Sequence, residues 1–220
     1  MDTAQERWDA VDDWIESQLV SEDSTLRGAV AASVEAGLPP IQVSPAQGRT
    51  LELLVRMTNA RTVLEVGTLG GYSTIWLARR LPSGGRVVTL ELDPLHAEVA
   101  RANVAAAGLG DLVEVRVGAA ATLMGELQEP FDLAFIDADK ASTPEYFGHA
   151  LRLSRPGSVI VVDNVVRGGA VVDGPGDDAN LAGIRRFAEL VRQEPRVRAT
   201  AIQTVGRKGY DGFALVYVEH

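Results

Sequence analysis

The 220-residue chain has no cysteine, so disulfides, zinc–thiolate centres and thiol nucleophiles are excluded. Its three histidines, His96, His149 and His220, have no partner at ligand spacing and suggest neither a histidine metal site nor a histidine base. No apolar run approaches the ~18 residues of a membrane span. The opening Met1-Asp-Thr-Ala-Gln-Glu-Arg-Trp8 is polar and acidic, unlike a targeting segment, so a cytoplasmic location is the expectation. Basic clusters are missing too: Arg207-Lys208 is the densest, in a chain of net charge −9. Phosphate backbones need a basic surface, and nucleic acid is therefore disfavoured as a partner.

What remains is ordinary globular composition, with 46% hydrophobic and 23% charged residues and no repeat or linker. That suits one domain over 1–220, with N-terminal helices in 1–60 and an α/β core in 61–220. Trp8, Val11, Ile15 and Leu19 recur at helical spacing, and a second helix spans about Ser24 to Glu35 before Gly37 and Pro39-Pro40. Ser44-Pro-Ala-Gln47 combines an N-cap, a first-turn proline and a capping-box glutamine, opening a helix toward Asn59. From Thr62 strands (62–67, 86–91, 112–117, 131–136, 157–162) alternate with helices (73–80, 94–107, 119–127, 142–154). The last of these helices starts on a second capping box, Ser142-Thr-Pro-Glu145. A helix from Asp178 to Val191 precedes two strands, 196–205 and 212–218, with Gly206–Gly212 as the turn between them. The pattern predicts a mostly parallel sheet with helices on both faces and an antiparallel hairpin at its C-terminal edge. Gly168–Asp178 is the one long turn-rich stretch.

Thr62-Val-Leu-Glu-Val-Gly-Thr-Leu-Gly-Gly-Tyr-Ser73 is a buried strand breaking into glycines and then a helix start, a cradle of exposed backbone N–H groups. Glu91 ends the next strand about 20 residues beyond Gly71, the spacing at which an acid meets a ribose diol. The G-x-G-x-x-G of a dinucleotide site is absent, and Glu65 just before Gly67 would repel a pyrophosphate. A carboxylate there suits a cationic nucleoside ligand such as S-adenosylmethionine, with its sulfonium and ammonium.

Two later strands end abruptly in charge, Phe131-Asp-Leu-Ala-Phe-Ile-Asp137-Ala-Asp139-Lys140 and Val159-Ile-Val-Val-Asp163-Asn164. In a parallel sheet these ends share the edge of the glycine turn. Asp137, Asp163 and Asn164 are hard oxygen donors, fitting Mg²⁺, Mn²⁺ or Ca²⁺ and leaving octahedral positions for a vicinal diol. Any one strand-end Asp taken singly reads as a helix cap, and Lys140 taken by spacing alone reads as a solvated lysine.

The pattern Glu65-x-Gly67-x-x-x-Gly71-Tyr72-Ser73, with F-I-D-A-D-K and V-V-D-N, resembles the class I S-adenosylmethionine-dependent methyltransferases, specifically the cation-dependent catechol and caffeoyl-CoA O-methyltransferases. The resemblance covers nearly the whole chain from about Ile41 and implies the Rossmann-like seven-stranded sheet of that family. It implies that Lys140 is the general base and that Asp137 touches both metal and cofactor. It further implies that Glu65, Gly67 and Thr68 line the methionine part of the cofactor. Val43 and Ser73 would meet the methionine carboxylate, Glu91 the ribose and Ala120 the adenine, with Asp139 as a further cofactor contact. A small aromatic hydroxyl substrate, a divalent cation and a homodimer follow from the same likeness. The alternatives are a nicotinamide-dependent oxidoreductase, or an S-adenosylmethionine-binding protein without metal-dependent catalysis.

Overall fold

The computed structural model describes residues 3–173 and 176–220; Met1-Asp2 of the polar N-terminus and Gly174-Pro175 of the turn-rich stretch lie outside them. Three helices come first: α1 (Ala4–Leu19), α2 (Ser24–Glu35) and α3 (Pro45–Met57). Each starts where a side-chain oxygen accepts a first-turn N–H, from Thr3, Asp23 and Ser44 respectively. Helix α1 buries none of its residues and is tied down from outside, Asp12 Oδ2 accepting the Arg207 N–H at 2.6 Å. Helix α3 is seated more firmly, because Gly48 lies flat on the fully buried Trp76, where a Cβ would come 2.4 Å from the indole.

From there strand and helix alternate as expected. The elements are β1 (Thr62–Val66), α4 (Tyr72–Ala78), β2 (Arg86–Glu91), α5 (Pro94–Ala106), β3 (Val113–Val117) and α6 (Ala120–Glu126). Then follow β4 (Leu133–Ile136), α7 (Thr143–Arg152), β5 (Val159–Asp163), α8 (Ala179–Gln193), β6 (Val197–Gly206) and β7 (Gly209–Val218). They build one seven-stranded sheet ordered β3-β2-β1-β4-β5-β7-β6, parallel through β5 and antiparallel at β7 and β6. Alternate residues of each strand feed two cores. Leu64, Val66, Leu90 and Ile136 face α6, α7 and α8, whereas Val63, Val87, Leu133 and Phe135 face α2, α3 and α4.

Register carries this fold to its site. Val66 lies level with Leu90 and Ile136, and Ile136 with Val162. The next residue of each strand therefore falls in one row: Gly67, Glu91, Asp137 and Asp163. Sharing a row in a parallel sheet, they also share a face, the one toward α3 and α4.

The structure revises some local expectations. Ser142 makes no capping bond; Asp139 accepts the Ser142 N–H at 3.0 Å and caps a 3₁₀ turn, Lys140–Ser142, that leads into α7. The hairpin turn is Arg207-Lys208 alone, since pairing continues to Gly206 and Gly209. The turn-rich stretch opens as a 3₁₀ segment, Arg167–Val172, whose Gly168 (φ 65°) and Gly169 (φ 91°) kink it. Among the described residues, no helix is long and apolar enough to cross a membrane.

Candidate active site

The glycine turn after β1 is shaped by contact with β4. Gly67 has φ 96°, and a Cβ there would sit 2.2 Å from the Asp137 carbonyl oxygen, so only glycine lets the two strand ends approach. Leu69 takes a positive φ of 49°, and the turn is held open by partners on β2 and α5. Glu91 Oε2 accepts the N–H groups of Thr68 (3.0 Å) and Leu69 (2.8 Å), and Oε1 accepts that of Asp93 (3.0 Å). Asn103 donates its amide to the Gly70 carbonyl at 2.8 Å. His96 Nδ1 stands 3.6 Å from Glu91 Oε1, giving this histidine a neighbour that spacing did not reveal.

Glu65 occupies a different place from the one its sequence position suggests. It lies two residues below Gly67 on the same face, fully buried under the first turn of α4. Its carboxylate accepts hydroxyl bonds from Ser73 (2.6 Å), Thr89 (2.6 Å) and Thr74. Burial pushes it up to about 7, against the pull of those hydroxyls. Glu65 thus backs the cavity wall through Ser73 instead of facing the cavity.

The other end of the row is acidic. Lys140, itself buried, pairs its Nζ with Asp137 Oδ1 at 2.9 Å. Asp163 is buried at the end of β5; its Oδ1 accepts the Asn164 N–H at 2.8 Å, and its Oδ2 accepts the Gln47 side-chain amide at 2.6 Å. Burial and then the charge of Asp137 hold the Asp163 carboxyl well above the usual range, outweighing Lys140. Asn164 follows with φ 57°, a conformation asparagine tolerates better than most residues. Asp139 is taken up by other partners. Burial alone would raise it, but bonds from Ser142 and from the Tyr146 hydroxyl (2.6 Å) hold it below its ordinary value.

A cavity of about 710 Å³ runs along this edge, large enough for a nucleoside and a small second molecule. Val43, Gly67, Thr68, Ser73, Glu91, Ala120, Asp137, Asp139, Lys140 and Asn164 all reach its wall. Glu65 and Asp163 stand behind that wall. Sequence reasoning missed the supporting residues: Thr89 and Thr74 on Glu65, Asn103 on the glycine turn, Tyr146 on Asp139 and Gln47 on Asp163. Asp211 belongs with them, because its Oδ1 accepts the N–H groups of Val166 (3.0 Å) and Arg167 (2.9 Å) and so fixes the segment after Asn164. None carries a motif of its own, and each becomes visible only once the elements are packed.

The donor set at the acidic end is two carboxylates and one amide; among the described residues no three His, Cys, Asp or Glu side chains converge. Hard oxygens of two neighbouring carboxylates and an amide fit a hard divalent cation.

Comparison with known proteins gives the family. The O-methyltransferase family profile matches residues 16–217. A catechol O-methyltransferase of Mycobacterium tuberculosis is 54% identical over 209 residues, covering 94% of each chain. A catechol O-methyltransferase of Niastella koreensis is 48% identical over 216 residues, covering 96% of this chain and 98% of its own. An O-methyltransferase of Bacillus cereus, solved in complex with S-adenosylhomocysteine, superposes with a TM-score of 0.95 at 55% identity, over 97% of this chain and 99% of its own. With the glycine turn, the ribose-spaced acid and the acidic strand ends all on one cavity, the chain belongs to the class I S-adenosylmethionine-dependent O-methyltransferase family.

Proposed function

We propose that the chain transfers the methyl group of S-adenosylmethionine to one hydroxyl of a catechol-like aromatic acceptor whose two adjacent oxygens are held at a divalent cation, Mg²⁺ or else Mn²⁺ or Ca²⁺. The observation that carries this reading is the convergence of Asp137 and Asn164 on the cavity wall with buried Asp163 directly behind them, two carboxylates of which Asp137 pairs with Lys140. Asp137, Asp163 and Asn164 would hold the cation. When bound, it lowers the pKa of a coordinated hydroxyl and fixes two oxygens in place.

The chain's own residues do the rest. Gly67, Thr68 and the Glu91 carboxylate present the nucleoside end, with Glu65 orienting Ser73 from behind. Ala120 lines the cavity at the start of α6. Lys140 Nζ, within hydrogen-bond reach of Asp137, takes the acceptor's hydroxyl proton when it is the neutral amine and so becomes the ammonium, while the oxygen attacks the methyl carbon and the sulfonium leaves as a neutral thioether. The sulfonium charge disappears in that step, and a cavity closed to water favours it. Names of relatives that act on catechol support the choice of acceptor. We extend the proposal to a cytoplasmic homodimer. Strand β6 closes the sheet with an edge exposed from Arg198 to Val205, including Ile202 and Val205, the kind of edge that pairs or is covered. Light scattering should then return twice the 23.5 kDa chain mass.

The test of the reaction is calorimetry of catechol or caffeic acid against protein with S-adenosylhomocysteine, with and without Mg²⁺, for the wild type and Asp163→Ala. Acceptor binding that needs Mg²⁺ and vanishes in the variant supports the proposal. Acceptor binding indifferent to Mg²⁺ refutes chelation.

A further inference from the structure

Gln47 stands at the third position of α3, where a capping-box glutamine should turn back to the backbone N–H of Ser44. Only half of that box forms. Ser44 Oγ accepts the Gln47 N–H at 3.2 Å, while the Gln47 side chain leaves its own helix and donates to Asp163 Oδ2 at 2.6 Å, across 116 residues of chain. A local rule broken in favour of one distant carboxylate marks a position under another demand.

The helix that carries Gln47 has little freedom. Gly48, the next residue, is pressed against the Trp76 indole, which is itself clamped between Arg49 (4.8 Å) and Arg79 (5.1 Å). Val43, just before the cap, lines the cavity, so one turn of backbone joins the cofactor wall to Asp163. The chemistry of the donor matters as much as its place. Asp163 is buried, so its two oxygens need hydrogen-bond donors. A lysine or arginine would supply one but would repel a divalent cation; an amide N–H donates without adding charge. With Oδ2 held by Gln47 and Oδ1 by the Asn164 N–H, the carboxylate plane is fixed before any ligand arrives.

We infer that Gln47 is a positioning residue that holds the Asp163 carboxylate in the orientation it presents to the divalent cation; the inference rests on the proposed cation-dependent function. Removing an outer partner of a metal ligand typically weakens metal binding about 10–100-fold.

The test uses full-length protein with S-adenosylhomocysteine and titrates Mn²⁺ by calorimetry and electron paramagnetic resonance, comparing wild type with Gln47→Met, which keeps length and loses the donor. The expected result is a Mn²⁺ dissociation constant raised about 10-fold or more, with S-adenosylhomocysteine affinity and melting temperature unchanged. In turnover with Mg²⁺, the KM for Mg²⁺ should rise while kcat at saturating Mg²⁺ recovers. Unchanged Mn²⁺ affinity in Gln47→Met overturns the inference and leaves the cation reading intact. A kcat deficit that saturating Mg²⁺ does not restore also overturns it, making the role structural. Wild-type protein that binds no Mn²⁺ overturns both.

Discussion

Gly183 connects the fold to the site most directly, and its replacement by alanine should harm both. In a helix interior this change ordinarily stabilises, by about 1 kcal/mol, because alanine loses less backbone entropy. Gly183 lies in the second turn of α8, against the 3₁₀ turn that holds Lys140. A Cβ at this position would fall 2.1 Å from the Lys140 carbonyl oxygen and 2.8 Å from the Ala141 Cα, all backbone atoms. Ordinary contact is about 3.5 Å, so helix and turn must separate by roughly an ångström. Overpacking of this kind costs about 1–3 kcal/mol, and two backbone segments in conflict place it at the upper end. The net loss is then about 2 kcal/mol, which for a chain of this size lowers Tm by about 4–8 °C. Because Lys140 rides on the displaced turn, methyl transfer should fall about 100-fold, the usual penalty of an ångström of misplacement. Gly28 is the control. It lies on the exposed side of α2 with nothing within 4 Å of its Cβ position, so Gly28→Ala should raise Tm by about 2–4 °C and leave activity alone. Differential scanning calorimetry and an initial-rate assay read both. A Gly183→Ala protein as stable as Gly28→Ala would refute the packing argument.

Two further outcomes follow from named groups. Glu65 is raised to about 7 by burial, so the folded state holds its proton more tightly than the unfolded chain does. Stability from this group is complete below about pH 4.5 and is lost as pH rises toward 7, by about 3 kcal/mol. Glu65→Gln should remove that fall, and urea unfolding at pH 5 and pH 7.5 with the same difference in both proteins would contradict it. Lys140→Met should slow methyl transfer about 10²–10⁴-fold while cofactor binding persists. It should also bind Mg²⁺ at least as well as wild type, because Asp137 loses its ion-pair partner; a rate within tenfold of wild type would remove Lys140 from the proton transfer.

The strands were legible because their apolar runs end in glycine or charge. Once they are laid side by side, register alone puts Gly67, Glu91, Asp137 and Asp163 in one row. Pairwise facts between distant elements were not legible. Gln47 satisfied a helix-start pattern by itself, and nothing local says that its side chain will prefer Asp163. The Ser142 box failed for a similar reason, since Asp139 reached the Ser142 N–H first and wound a 3₁₀ turn ahead of α7. Glu65 was recognisable as part of a motif, but its burial behind the cavity wall was not. The period of two sets it on the face of Val63 and Phe135, beneath α4, with a glycine above it where a side chain would have marked the cavity.

Five carboxylates gather at this edge, and their partners separate the places where positive charge is needed. Glu91 is satisfied by three backbone N–H groups, and Asp139 by Ser142 and Tyr146. Glu65 is fully buried and satisfied by three hydroxyls. Asp137 and Asp163 are left, Asp137 paired with Lys140 and near Lys208, and Asp163 held by neutral donors. A sulfonium carries one charge and sits in a cavity meant to lose it on reaction. It cannot offset the two carboxylates, half-buried Asp137 and buried Asp163, through the whole cycle. On the proposed reading, a divalent cation that does not react would supply the positive charge these two carboxylates keep through the cycle.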